Sequence, residues 1–237
     1  MRDDAERLGG GAMFDAIAGR YDLLNLVLSM GLDRLWRRRL LASLGPLNDG
    51  DRVLDVASGT ADVAIALGRR AANVQVVGID PSAGMLAVGR SKIDKAGLAD
   101  RVTLQVGDAQ ALPFADGHFA AATIAFGIRN VPDRALGLRE MARVVRPGGV
   151  IAVLELGEPR AGWLAPLSRF HVHHIVPRIG ALVSGQRAYR YLQSSIAAFP
   201  SPEAFVAQMT AAGLLEVHVR PMFPEVAHLY VGRVAGT

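Results

Sequence analysis

The sequence predicts an α/β fold with a mostly parallel, doubly wound sheet, and three observations carry that expectation. Short apolar segments at 52–57, 74–79, 102–106, 119–125 and 150–156 alternate with helical patterns at 61–71, 83–96 and 135–145. Parallel strands joined by crossover helices need this spacing. The segment 119–125 (Phe-Ala-Ala-Ala-Thr-Ile-Ala) is almost wholly apolar, as befits a central strand covered on both faces. Small and acidic residues follow the first three apolar segments, at the end of the sheet where such folds bind ligands.

Three helices are expected before the sheet, at 13–21, 23–30 and 32–44, the last ended by Gly45-Pro46. Pro147-Gly148-Gly149 should stop the helix at 135–145, so that the fifth strand starts at Val150. Residues 160–198 break the alternation and read as a helical insertion punctuated by Pro166, Pro177 and Gly180. A helix at 202–212 and strands at 215–219 and 226–231 close the chain. The last two strands should form a hairpin across 221–225, giving seven strands and one antiparallel edge. The expected layout is a single domain: a helical cap (1–50), a ligand-binding core (51–156), an insertion housing the acceptor (157–200), and the last helix with its hairpin (201–237).

Composition narrows the function. The 237 residues, 51% apolar and 20% charged, can bury a real core. The absence of cysteine excludes disulfides, thiolate metal sites and cysteine nucleophiles. The apolar run at 119–128 is far shorter than the roughly 20 residues that span a bilayer. The charged start of the chain leads into no signal segment, so a cytoplasmic protein, soluble or peripheral at the inner face of the membrane, is expected. A net charge of +4 is modest. Arg34-Leu35-Trp36-Arg37-Arg38-Arg39 reads first as a solvated helix face, and as an interfacial patch anchored by Trp36 if the substrate is a lipid.

The loop Asp55-Val56-Ala57-Ser58-Gly59-Thr60-Ala61-Asp62 has small residues that let backbone approach a ligand at a helix N-terminus. Its single glycine fits poorly with the Gly-x-Gly-x-x-Gly of a pyrophosphate site. Asp80 ends the second strand, where a carboxylate accepts from both ribose hydroxyls, while Ser82 suits the helix N-cap. Asp108-Ala109 ends the third, where an acid meets an adenine amino group. In this order, Asp55…Gly59, Asp80, Asp108-Ala109 and Arg146-Pro147-Gly148-Gly149 resemble the motif series of Rossmann-like class I methyltransferases. That resemblance implies S-adenosylmethionine as methyl donor and S-adenosylhomocysteine as product. The signature of amino-methylating nucleic-acid enzymes, Asn-Pro-Pro-Tyr, is missing, and no basic or aromatic RNA-binding module is appended, so nucleic acid is not an expected partner.

More specific segments follow. Met13-Phe14-Asp15-Ala16-Ile17-Ala18 leads to Arg20-Tyr21-Asp22; Phe126-Gly127-Ile128-Arg129-Asn130-Val131 follows the fourth strand. Pro177-Arg178-Ile179-Gly180 and Tyr189-Arg190-Tyr191-Leu192-Gln193-Ser194-Ser195-Ile196 come later. The combination resembles the UbiE/MenG-type demethylmenaquinone and polyprenyl-benzoquinol C-methyltransferases over nearly the whole chain. The resemblance implies a polyprenyl quinol as acceptor, contact with a membrane surface, and either a monomer or a homo-oligomer.

Residue by residue, it places Asp55, Gly59, Thr60, Asp80, Asp108, Ala109 and Ala125 at the donor, with Tyr21 and Asp22 closing over it. Arg129 and Asn130 become the catalytic candidates, and Phe126, His174, Arg178 and Tyr191 the acceptor-binding ones. No metal is called for. His171, His173 and His174 lack an acidic ligand at matching spacing, which favours a pocket or structural role.

The chain also departs from the family pattern. Ser58 and Ala61 replace glycines, and Ala61 should take a backbone angle open to any residue while its methyl group nears the donor. Ala120 replaces an aspartate. His228 stands early against Gly-Gly-x-x-Ala-x-His-x-Gly, by one place and hence on the opposite strand face unless a bulge intervenes. Two alternatives follow: an enzyme for another phenolic or acidic acceptor, and a non-catalytic homologue supporting a quinone-synthesis assembly.

Overall fold

A computed structural model describes residues 14–15, 18–20, 22, 26, 29, 31–70, 73–157 and 186–236. Seven strands form one sheet: β1 Arg52–Val56, β2 Gln75–Asp80, β3 Val102–Val106, β4 Phe119–Ala125, β5 Val145–Leu156, β6 Leu214–Met222 and β7 Ala227–Val234. The helices are α1 Asp33–Ser43, α2 Asp62–Arg70, α3 Ala83–Lys95, α4 Arg134–Val144, α5 Gln186–Ala197 and α6 Pro202–Ala211. The sheet order is β3-β2-β1-β4-β5-β7-β6, with β1 to β5 parallel and β7 antiparallel to both its neighbours. The predicted hairpin exists, but its second strand is inserted next to β5, leaving β6 at the edge.

Alternating residues build two cores. Val53, Ala121, Ala152, Leu154 and Leu229 pack with Trp36, Leu40 and Leu67 beneath α1 and α2. Leu54, Ile124, Ile151, Val153 and Tyr230 pack on the other face with Leu138 and Met141 of α4 and Phe205 and Met209 of α6. Helices on both faces explain the apolar continuity of β4. Trp36 is 1% exposed, and its indole Nε1–H donates to Phe223 O at 2.8 Å. The expectation of Trp36 as a surface anchor is therefore corrected: it fastens α1 to the β6–β7 turn.

Two strand boundaries also differ from expectation. Pro147-Gly148-Gly149 does not precede β5; the strand follows α4 directly at Val145. Phe119 pairs with Val145 and Ala121 with Val150, so the intervening residues bulge out of the ladder. Gly148 turns this bulge at φ +76°, and a Cβ on Gly149 would lie 2.6 Å from Ala120 O. In β6 a register shift between Leu215 and His218, with Glu216 at φ +52°, lets the strand run on to Met222.

The strand order reverses between β1 and β4. Their carboxyl ends splay there, and the loops after β1, β2, β3 and β4 surround one opening.

Candidate active site

The loop after β1 is shaped by three positive φ angles, at Ala57 (+52°), Gly59 (+54°) and Ala61 (+67°). Ser58 Oγ donates to Asp55 O at 2.7 Å, and Ser58 N–H to Ile79 O at 3.1 Å, tying the loop to β2. A Cβ at Gly78 would sit 2.5 Å from Ser58 Oγ, so the serine in this loop requires a glycine on the neighbouring strand. The expectation for Ala61 is corrected on both counts. Its angle is one glycine favours, and its methyl group is fully buried, outside the lining of the cleft.

A left-handed angle costs an L-residue about 1–2 kcal/mol, and one buried methyl contributes about 0.8 kcal/mol. Ala61→Gly is therefore expected to stabilise the protein by up to about 1 kcal/mol, raising Tm by about 2–4 °C. Thermal unfolding checks this, and a lower Tm would show that the angle stores no strain.

A cleft of about 610 Å³, open to solvent, lies across the strand ends and is lined by Gly59, Asp80, Asp108, Ala109, Phe126 and Asn130, all anticipated. Phe14, Ile79, Pro81 and Met85 supply apolar walls that the sequence reading missed. Asp80 is buried, accepting from Gly59 N–H at 2.9 Å and Ser82 N–H at 2.8 Å. Burial raises its pKa above the usual carboxylate value, and those two hydrogen bonds oppose the rise. Ser82 caps α3, accepting from Met85 N–H at 3.1 Å, so Asp80 is free of that task. Asp108 accepts from Gln110 N–H at 2.9 Å, and Gln110 Oε1 in turn receives Asp133 N–H at 3.0 Å, joining the β3 and β4 loops.

An adjoining cleft of about 330 Å³ shares Ala57 and Gly59 and adds Asp55, Thr60, Ala125, Arg37 and Asp62. Asp55 Oδ1 receives Thr123 Oγ1–H at 2.9 Å, but Oδ2 is buried with no partner. Burial pushes the Asp55 carboxyl up to about 7, against smaller lowering from the Thr123 and Ser58 hydroxyls and the Arg37 charge. Thr60 Oγ1 donates to Asp22 at 2.6 Å, and Lys92 bridges Asp22, at 2.9 Å, and Asp62. Asp22 thus reaches the loop after β1. Asp15 receives Gly84 N–H at 2.8 Å and the Ser82 hydroxyl, a contact not foreseen.

After β4 the chain turns at Phe126, φ +59°, into a 3-10 turn at Ile128–Asn130. The Asn130 side chain lines the larger cleft with its Oδ1 buried and unpartnered. Arg129 points the other way. Its Nη1 contacts Glu155 Oε1 at 2.5 Å and Phe126 O at 2.6 Å, and Glu155 Oε2 receives Arg129 N–H at 3.1 Å. Both side chains are almost wholly buried, while Arg129 Nε has no partner. Arg129 is therefore not a free cation: its charge is matched by Glu155. The missed signal was a lone acid in the apolar run at 150–156, since a buried glutamate needs a partner.

Tyr191, half-buried on α5, has its hydroxyl pKa raised by burial and lowered less by the Arg129 charge, which places it near this pair. Glu155 pairs across the sheet with His228. The His228 ring lies 6.1 Å from the Tyr230 ring, two residues along β7. Tyr21, His174 and Arg178, with His171 and His173, lie outside the described residues.

The fold and these strand-end loops define a class I S-adenosylmethionine-dependent methyltransferase fold. Solved structures share it at low identity. The [4+2]-cyclase SpnF matches with a TM-score of 0.70 and 20% identity over 96% of this chain and 95% of that one. A Haemonchus contortus phosphoethanolamine N-methyltransferase in complex with S-adenosyl-L-methionine gives a TM-score of 0.62 and 17% identity over 84% of this chain and 52% of that one. The chain belongs to the ubiE/COQ5 methyltransferase family, whose pattern it matches over residues 3–232. It is 45% identical over 93% of its length to the ubiquinone/menaquinone biosynthesis C-methyltransferase UbiE of Geobacter sp. strain M21, covering 94% of that protein. A demethylmenaquinone methyltransferase of Deinococcus radiodurans is also 45% identical over 93% of the chain, which covers 90% of it.

Proposed function

We propose that the protein transfers a methyl group from S-adenosylmethionine to a ring carbon of a reduced polyprenyl quinone, converting demethylmenaquinol to menaquinol and releasing S-adenosylhomocysteine. One observation carries this reading: two clefts meet at Gly59, one suited to an adenosine and the other to an amino-acid zwitterion. Asp80 would accept from the ribose hydroxyls and Asp108 from the adenine amino group, with Ile79, Pro81 and Met85 against the ring and sugar. The orphaned Asp55 Oδ2 fits an ammonium, and Arg37, across the same cleft, fits a carboxylate. The acceptor assignment rests on the relatives' names. Ala61 and Ala120 are both buried outside the cleft linings, so neither favours an inert homologue.

When bound, S-adenosylmethionine supplies an electrophilic methyl group on its sulfonium. Asn130 Oδ1, at the junction of β4 and the cleft, accepts the hydrogen of the acceptor's ring hydroxyl. A water beside Asn130 would take the proton to solvent, while Arg129, held by Glu155 and Phe126 O, positions this turn without touching the acceptor. A phenol of pKa about 10 needs that assistance at neutral pH. With the donor bound, the adjacent ring carbon would gain electron density, take the methyl group from sulfur as that bond breaks, and lose its ring hydrogen as a proton to water. With both substrates bound, the apolar walls at Phe126 and Met85 would displace water from around the reacting atoms, which such a transfer needs about 3–3.5 Å apart. The acceptor's tail would bring the enzyme to the inner face of a membrane. Among the described residues no helix is long and apolar enough to cross one.

Asp55 gives this reading a pH signature. A donor ammonium pairs with the ionised carboxylate, so donor affinity should fall about tenfold per unit below the Asp55 pKa of about 7 and level off above it. In the free protein the sign is opposite. A raised carboxyl pKa contributes stability that is full below about 3.8 and is lost as pH rises to about 7. Calorimetric titration of the donor across this range, with Asp55→Asn alongside, checks the first claim; equal slopes in both proteins would remove Asp55 from the donor site. The acceptor assignment is tested by mass spectrometry of mixtures containing short-tail demethylmenaquinol, a benzoquinol and simple phenolic acids. A gain of one methylene should appear in the demethylmenaquinol first, and gain only in a phenolic acid would refute the assignment.

A further inference from the structure

The exposed side of α1 carries cations and no acids. Arg34, Arg38 and Arg39 are all exposed, and none has a hydrogen bond or ion pair among the described residues. The neighbouring acid, Asp33, is buried and engaged by Ser29 and Arg37. Within this arginine face Leu35 is 41% exposed. Phe223, 57% exposed, belongs to the β6–β7 turn, whose backbone carbonyl at this residue Trp36 holds against α1.

These features share one edge of the molecule with the clefts. The β6–β7 turn lies at the carboxyl end of β5, since Ala227 pairs with Leu156. The first turns of α1 reach the same end: Arg37 lines the smaller cleft and lies 5.7 Å over the Phe126 ring. The arginine face of α1 and the exposed Phe223 of the β6–β7 turn therefore lie at the end of the sheet that carries the clefts.

We infer that this surface docks on an anionic lipid bilayer, the arginines against headgroups and Leu35 with Phe223 in the boundary layer. The inference rests on the lipid-acceptor reading and adds to it the face that meets the membrane. Charge complementarity selects the occupant: unpaired arginines need many phosphates on a plane, and the exposed leucine and phenylalanine need an apolar phase beneath them. Bound this way, the cleft mouth faces the bilayer, and a quinol head can enter while its tail stays in lipid.

The test is flotation of the whole protein with phosphatidylcholine vesicles, with and without phosphatidylglycerol, at low and high salt. Binding should need phosphatidylglycerol and weaken as salt rises. The R34E/R38E/R39E variant should bind at least about 100-fold more weakly, and Phe223→Ser should weaken binding several-fold. Both variants should methylate a water-soluble short-tail quinol at the normal rate, and lose rate only on long-tail acceptor presented in vesicles. Vesicle binding unchanged in R34E/R38E/R39E would overturn the inference, as would salt-sensitive binding to RNA with none to vesicles. If the unaltered protein methylates no quinol while the vesicle results hold, the acceptor reading fails and the docking surface stands.

Discussion

Glu155→Ala should be among the most damaging single substitutions in the protein, costing about 3–5 kcal/mol. The cost does not measure the attraction in the ion pair; it comes from abandoning a charge. Glu155 is wholly buried, and without it the Arg129 guanidinium would stay inside with only Phe126 O and no counter-charge. Two backbone donors, Arg129 N–H and Leu156 N–H, would lose their acceptor at the same time. A domain of this size has about 5–15 kcal/mol in total, so the variant should unfold at far lower denaturant. Removing both charges, as Arg129→Leu with Glu155→Leu, should recover most of the stability but not the methyl transfer. Urea unfolding of the three proteins decides the point. A single variant within 1 kcal/mol of the parent would mean that the pair is not buried as described.

Asp80→Ala should act on binding instead. The carboxylate would lose two proposed hydrogen bonds to donor hydroxyls, each worth about 1.5–3 kcal/mol when one partner is charged. Donor affinity should fall by about 100-fold or more, most of it appearing in KM for the donor. Part of the loss is indirect, because Asp80 also pins Gly59 and Ser82 by their N–H groups. Asp80→Asn keeps one acceptor oxygen and should lie between. Calorimetric titration with S-adenosylhomocysteine measures the effect without turnover. Unchanged affinity in Asp80→Ala would move the ribose elsewhere.

The strand-end cleft was legible in the sequence because its lining residues sit where strands end. Alternation located β1 to β4 to within a residue or so, and whatever follows a parallel strand lands at the open end of the sheet. Asp80, Asp108 and Asn130 could be placed that way. The fifth strand was misread at its start, since Pro147-Gly148-Gly149 is a local stop signal and only pairing with β4 shows that it bulges. Pro221 looked like turn, yet it lies within β6, where an edge strand tolerates proline.

Partners distant in sequence were the main omission. Arg129 meets Glu155 only because β4 and β5 are neighbours, and Lys92 meets Asp22 and Asp62 only because α2, α3 and the N-terminal segment converge. The arginine run was visible as charge, but whether Trp36 faced outward depended on the β6–β7 turn that covers it.

The central claim is that a reduced ring is methylated on carbon. Its most direct test supplies S-adenosylmethionine carrying a carbon-13 methyl group and a short-tail demethylmenaquinone, either reduced or oxidised, and locates the label by NMR. The account predicts label on the previously unsubstituted ring carbon, with the reduced acceptor only. Label on a ring oxygen, or equal transfer to the oxidised quinone, would contradict it.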